Sequence, residues 1–185
     1  MRRRLPWILA ILLVLVVGAA AALVVAEKPT LDDARDAVDA RWQPLRPPLV
    51  ARYQQLGTVL AALGTAGGGD RSVAHDLTGA LGAWKKALAD SGAGTQAEAA
   101  NRLEGEAARV RANVLASARL AEVGELTNAI GAFTNTVPPQ NLVQAYNRAV
   151  RAYEDDRNDS FRKPVARLLG YDARPVLMIE RVRPG

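Results

Sequence analysis

The chain has no cysteine, and its one histidine is His75. The first absence excludes a lipoprotein anchor, a disulfide framework and a Cys–His nucleophile pair. With a single histidine, a zinc site of Cys and His ligands within one chain is excluded as well. Nothing after residue 26 alternates apolar and polar residues for long, so there is no signature of a half-buried strand. Lysine is scarce, confined to Lys28, Lys85, Lys86 and Lys163, and no basic run occurs beyond residue 4. Three of the 24 basic residues lie in Arg2-Arg3-Arg4, leaving 21 against 19 acids beyond them. That balance is not the footprint of a nucleic-acid binder. The glycine-rich stretches Gly67-Gly68-Gly69 and Gly92-Ala93-Gly94 have no lysine and no preceding strand. They therefore read as linkers, not phosphate loops.

What is present begins with one uncharged run. After the three arginines no charge appears over residues 5–26, which include Leu9, Ile11, Leu12, Leu13, Val14, Leu15, Val16, Val17, Leu23, Val24 and Val25. As a helix these 22 residues reach about 33 Å, enough for a hydrocarbon core of roughly 30 Å. In lipid only a helix satisfies such a backbone. The arginines at 2–4 predict a cytoplasmic arm, 5–26 a transmembrane helix, and the rest an extracytoplasmic chain at the cell membrane. Trp7 suits an interfacial position, and Pro6 a first turn. The alternative is a cleaved signal peptide, with Val24-Val25-Ala26 before the cut; its apolar region is usually about 7–15 residues, shorter than this run. Heavy use of alanine, glycine, arginine and valine fits the coding bias of a GC-rich bacterium.

Beyond the run, helical stripes predominate. Leu31, Ala34, Val38, Trp42, Leu45, Leu49, Tyr53, Leu56, Leu60 and Leu63 follow at steps of three and four. The stripe keeps its phase through Pro44, Pro47 and Pro48, predicting a kinked helix or two collinear ones facing one core. An eleven-residue repeat (Ala34, Leu45, Leu56) favours nearly straight packing. Gly64 and Gly67-Gly68-Gly69 end this helix. Ser72 is a fair N-cap for a second stripe of Val73, Leu77, Leu81, Trp84 and Leu88. Thr95 with Glu98 reads as a capping box opening a long third helix, through Leu103, Val110, Val114, Val123, Leu126, Ile130, Phe133 and Val137. Pro138-Pro139 starts a fourth, with Leu142, Tyr146, Ala149, Val150 and Tyr153 inward. Acids near its end oppose the helix dipole, predicting fraying at Asn158. Phe161, Val165, Leu168 and Leu169 make a short last helix capped by Gly170, and the apolar tail over 176–182 packs along the bundle. The expected architecture is all-α: the transmembrane helix, an elongated antiparallel bundle of about four helices over 27–170, and a tail over 171–185.

Candidates for chemistry are few. His75, off both stripes, reads as a solvated surface histidine, with pH sensing as the alternative. Asp155 and Asp159, four apart, could share a helix face and hold a hard cation, but Asp155, Asp156 and Asp159 lack the ligand spacing and turn glycine of a calcium loop. Arg151, Arg157 and Arg162 interleave with them, as on a solvated face. Trp42 and Trp84 lie on apolar stripes and read as core. No catalytic, cofactor-binding or metal residue is assigned, and no cofactor is expected.

From Tyr146 onward the chain resembles the LemA family of bacterial membrane-anchored proteins. That family shows Tyr-Asn, an aliphatic residue, a second Tyr-Asn, Phe-Pro, alanine, Gly-Phe and a proline. The counterparts here are Tyr146-Asn147, Val150, Tyr153-Glu154, Ser160-Phe161, Ala166, Gly170-Tyr171 and Pro175. Val38, Trp42 and Arg52 resemble the family's first soluble helix. The chain departs from the pattern at Glu154 and at Ser160-Phe161. It departs again at Leu56-Gly57-Thr58-Val59-Leu60, which lacks the family's proline and asparagine, and near Thr136-Val137-Pro138, where a Thr-Glu pair is missing. The resemblance implies a divergent member, a long antiparallel bundle on an N-terminal anchor, and no established enzymatic activity.

The functional expectation is a non-catalytic interaction or scaffold module of the bacterial envelope, in contact with the lipid bilayer and with envelope or membrane proteins, and not with nucleic acid. The alternatives are a ligand-sensing ectodomain working through a transmembrane partner and, more remotely, an envelope hydrolase using Asp155 and Asp159. Mass spectrometry of the mature protein is expected to find residues 5–26 retained; a chain beginning at Glu27 would identify a signal peptide instead.

Overall fold

The computed structural model describes residues 5–90 and 92–179, and every regular element among them is helical. The arm at 1–4, Ser91 and residues 180–185 lie outside the described residues, as do the side chains at 5, 6, 8–11, 16, 19, 20 and 90. Eight α-helices stand in four columns. The first column is α1 (Leu5–Trp42), a 3₁₀ turn (Gln43–Leu45) and α2 (Arg46–Thr65). The second is α3 (Ser72–Asp90) and the third α4 (Ala93–Leu115). The fourth column comprises α5 (Ala118–Ala121), α6 (Gly124–Asn135), α7 (Gln140–Asn158) and α8 (Arg162–Leu169).

The first column bears out collinear helices. Trp42, Leu45 and Arg46 all keep right-handed helical backbone across the junctions. Pro44, Pro47 and Pro48 fall in the first turns of their segments, where a missing N–H costs least. Leu45 and Leu49 are consequently buried on either side of the junction. There is no break at 26/27 either, because α1 runs through that boundary. Pro29 inside α1 withdraws a donor from the carbonyl of Val25, an exposed residue. The expected span over 5–26 falls partly outside the described residues; among those described, no helix is long and apolar enough to cross a membrane.

Pairings between columns fix direction. Arg46 reaches Leu88 O at 3.2 Å, and the Tyr53 and Trp84 rings meet edge-on at 5.0 Å, so α3 descends beside α2. Trp42 pairs with Gln96, and Arg52 with Glu104, so α4 ascends again. The fourth column descends, since Arg119 meets Gly67, Arg52 meets the end of α6, the Trp42 and Tyr146 rings meet tilted at 5.0 Å, and Glu27 meets Arg162. Each aromatic pair contributes about 0.5–1.5 kcal/mol beyond its buried area.

The expected third helix is corrected here. It does not run on to Val137: the chain turns at Ser117 and Val123, both extended, and α6 comes back along α2. The stripe over 103–114 resumes only at Val123, and that gap marks the reversal, with Leu120 buried inside it. The capping box is also corrected. Gly92 is the N-cap of α4 with no side-chain bond, and Thr95 lies inside the helix. At the other end α7 stops at Asn158 as expected. The last helix forms and ends on Gly170 at φ 72, the left-handed position glycine takes without strain. Yet it buries Val165 and Ala166 and leaves Phe161 and Leu168 exposed.

One cation is buried where three helices meet. Arg52, 2% exposed, donates from Nε and Nη2 to both Glu104 oxygens at 2.7 and 2.8 Å. Its Nη1 donates to Phe133 O and Thr136 O at 2.9 and 2.8 Å, capping the end of α6 where the helix dipole favours a cation. The Phe133 ring lies 4.0 Å from the guanidinium. Arg52→Ala strands the Glu104 carboxylate in the core and is expected to cost about 3–5 kcal/mol in urea denaturation. The double replacement Arg52→Met with Glu104→Leu should recover most of that loss.

Candidate functional site

The sequence places Tyr146, Asn147, Tyr153 and Glu154 at spacings of one and seven, which puts them on one face of α7 two turns apart. That face holds the residues after α8. Gly170 turns the chain, and a strap over 171–179 runs back along α7 without helix or strand. Tyr153 donates to Asp172 O at 2.8 Å and Tyr146 to Pro175 O at 3.0 Å. Glu154 accepts from the Arg174 amide at 2.7 Å. Asn147 donates to Leu177 O at 3.0 Å and accepts from Leu177 N at 2.7 Å. Asn101 of α4 does the same on the other side, donating to Val176 O and accepting from Met178 N at 2.7 and 2.8 Å. Each amide side chain carries one acceptor and a donor group, so the two asparagines stand in for neighbouring strands. Leu177 is buried, and Val176 and Ile179 pack on the core, as expected of the tail; residues 180–182 lie outside the described residues.

Electrostatics keep the tyrosines as donors. Burial pushes the Tyr153 and Tyr146 hydroxyls above the ordinary phenol value. Tyr171 is raised to about 12 by burial and by its hydrogen bond to Asp32 Oδ1 at 2.6 Å. Asp32 is held below the usual carboxylate range by Lys28 first and by Tyr171 second. Arg35 lies 5.5 Å from the Tyr171 ring, so the start of the strap is fixed to α1.

A cleft of about 500 Å³ opens beside the strap, lined among others by Arg35, Glu98, Tyr153, Tyr171, Asp172 and Arg174. Its rim carries both charge signs. Arg174 stands 3.7 Å from Asp39 Oδ1, a buried oxygen without a hydrogen bond. The cleft is a polar recess between helices and strap.

The residues weighed in the sequence go elsewhere. His75 is exposed on α3. Trp42 and Trp84 are core, as expected. Asp155 is exposed, whereas Asp159 accepts from the amides of Phe161 and Arg162 at 3.0 and 3.4 Å and so caps the turn into α8. Asp156 pairs with Arg162 at 2.5 Å. The three aspartates are thus spent on charge pairing, capping and solvent, and no group of three potential metal ligands occurs among the described residues. Sequence reasoning missed Asn101, which belongs to no stripe, and gave Glu154 only as a departure from the family pattern. Its carboxylate accepts from a strap amide as an asparagine carbonyl would. Comparison with protein-family models, curated proteins and solved structures gives no match.

Asn147→Ala removes two bonds of about 0.5–1.5 kcal/mol each from the strap. Hydrogen exchange at the Leu177 amide is expected to accelerate roughly tenfold or more, with exchange in α3 unchanged.

Proposed function

We propose that the protein is a non-catalytic, membrane-anchored helical bundle of the bacterial envelope, presenting an interaction surface outside the cytoplasm. One observation carries this reading: the same helix that enters the core at Leu31, Val38 and Trp42 begins as an unaccompanied apolar rod. Trp7, Leu12, Leu13, Val14, Leu15 and Val17 are exposed on it, and among the described side chains packing on the core starts at Leu23 and Val24. Residues 5–22 of this helix measure about 27 Å, close to a hydrocarbon core. An exposed apolar surface of this kind has a natural partner in lipid. Because α1 continues without a break into the bundle, the anchor and the domain move as one piece. A rigid attachment suits a scaffold that must hold a surface at a fixed height and needs no signalling part inside the cell.

The LemA-like pattern supports the same reading. Its matched residues Tyr146, Asn147 and Tyr153 clamp the strap, as does Glu154 where the family pattern has asparagine, so the resemblance concerns architecture and not chemistry. The cleft beside the strap favours a second reading, a ligand-sensing ectodomain coupled to a transmembrane partner. Arg35 and Arg174 in that cleft would suit an anionic ligand.

Proximity labelling from a fusion at the C-terminus, in native membranes, is expected to enrich a reproducible set of envelope or membrane proteins. Labelling that recovers no reproducible neighbour would sink the scaffold reading, and the sensing one with it, since that reading requires a transmembrane partner.

A further inference from the structure

The short helix α8 has an apolar stripe that the bundle does not use. Val165 and Ala166 face inward, while Phe161 and Leu168 are 71% and 73% exposed. At 100° per residue Phe161, Pro164 and Leu168 fall on one stripe, and Lys163 and Arg167, four apart, fall beside it. Five of the six exposed residues in this nine-residue stretch thus sort into an apolar and a cationic side, and Leu169, less exposed, falls outside both.

The height of this helix is fixed. Arg162 donates to Glu27 at 2.8 Å and to Asp156 at 2.5 Å, and Asp159 caps the preceding turn. Glu27 is the first charge after the apolar rod of α1, and α8 packs on α1 where that rod meets the bundle. An amphipathic helix pinned at this height stands at the boundary between acyl chains and headgroups.

We propose that α8 is an interfacial collar, inserting Phe161 and Leu168 into the outer surface of the bilayer that holds α1, with Lys163 and Arg167 on its anionic phospholipid headgroups. The inference rests on the anchor reading above. It adds a second lipid contact, one that sets the tilt of the bundle and makes its seating depend on lipid charge. Charge complementarity and continuity with the apolar rod favour lipid over a second protein as the occupant of this face.

The absence of cysteine allows single labels in the full-length chain. Leu13→Cys, Leu168→Cys and Asp155→Cys variants would each carry an environment-sensitive fluorophore. They would be reconstituted in vesicles of phosphatidylethanolamine with phosphatidylglycerol. The label at 13 should be quenched by nitroxides deep in the acyl chains, that at 168 by nitroxides near the headgroups, and that at 155 only by aqueous iodide. Adding Lys163→Gln and Arg167→Gln should lower the insertion equilibrium at 168 about fivefold per cation removed. Lipid quenching at 13 with iodide quenching at 168 overturns the collar and leaves the anchor standing. Protection at 168 from both quenchers means that protein covers the face, which overturns the lipid assignment. An unchanged equilibrium in the glutamine variants overturns the role of lipid charge. Loss of lipid quenching at 13 overturns the anchor and the collar with it.

Discussion

The guanidinium of Arg52 sets the register on which the remaining structure depends. A cation buried at the junction of α2, α4 and α6 needs its carboxylate and its carbonyls in place, because desolvation is repaid only when nearly every donor is used. Glu104 fixes the height of α4, and the carbonyls of Phe133 and Thr136 fix where α6 ends. With α6 ended there, Pro138-Pro139 carry the chain into α7 beside the 3₁₀ turn, and Tyr146 arrives against Trp42. From that contact the strap, the cleft and the position of α8 follow in order.

The four columns are unequal in reach. Around Arg52 and Tyr53 the core is closed by α2, α3, α4 and α6, and aromatic and ionic contacts lock it. Toward the start of α1 the cover thins to α7, α8 and the strap, and before Leu23 no described side chain packs on the core. A strap without its own secondary structure seals the intermediate zone. It is tolerated because Asn101, Asn147, Tyr146, Tyr153 and Glu154 satisfy backbone groups that would otherwise be buried unpaired. The taper gives the molecule a closed end and an apolar end joined by one helix. That polarity is the main support for reading it as a domain held at a surface.

Part of this was legible in the chain. The stripe from Leu31 to Leu63 kept its phase through three prolines, and the helices kept it too, because a proline in a first turn removes a donor that had no partner. Gly170 marked the end of the last helix, since an L residue pays a steric penalty at positive φ. Trp42 and Trp84 went to the core and His75 to the surface. The strap was visible only as an apolar tail. The asparagines that hold it look like ordinary polar residues on helices until a second segment lies across them.

Periodicity tells which face of a helix is apolar and nothing about direction, so the stripe over 103–137 concealed a reversal at Ser117 and Val123. Charge in a sequence reads as surface, so Arg52 and Glu104 were not recognised as a buried pair; their burial is tolerated because the end of α6 brings Arg52 two carbonyls from 81 and 84 residues away. An apolar residue near a chain end reads as core, yet Phe161 and Leu168 stayed outside because Val165 and Ala166 had already filled the space against α1. The sequence by itself determined the helical class, the apolar rod and the phase of every stripe but that of the last helix, all consequences of local side-chain chemistry repeating along the backbone. Only the tertiary structure decided the order of the columns, the buried ion pair, the clamp on the strap and the exposed face of α8, because each depends on which distant residues arrive as partners.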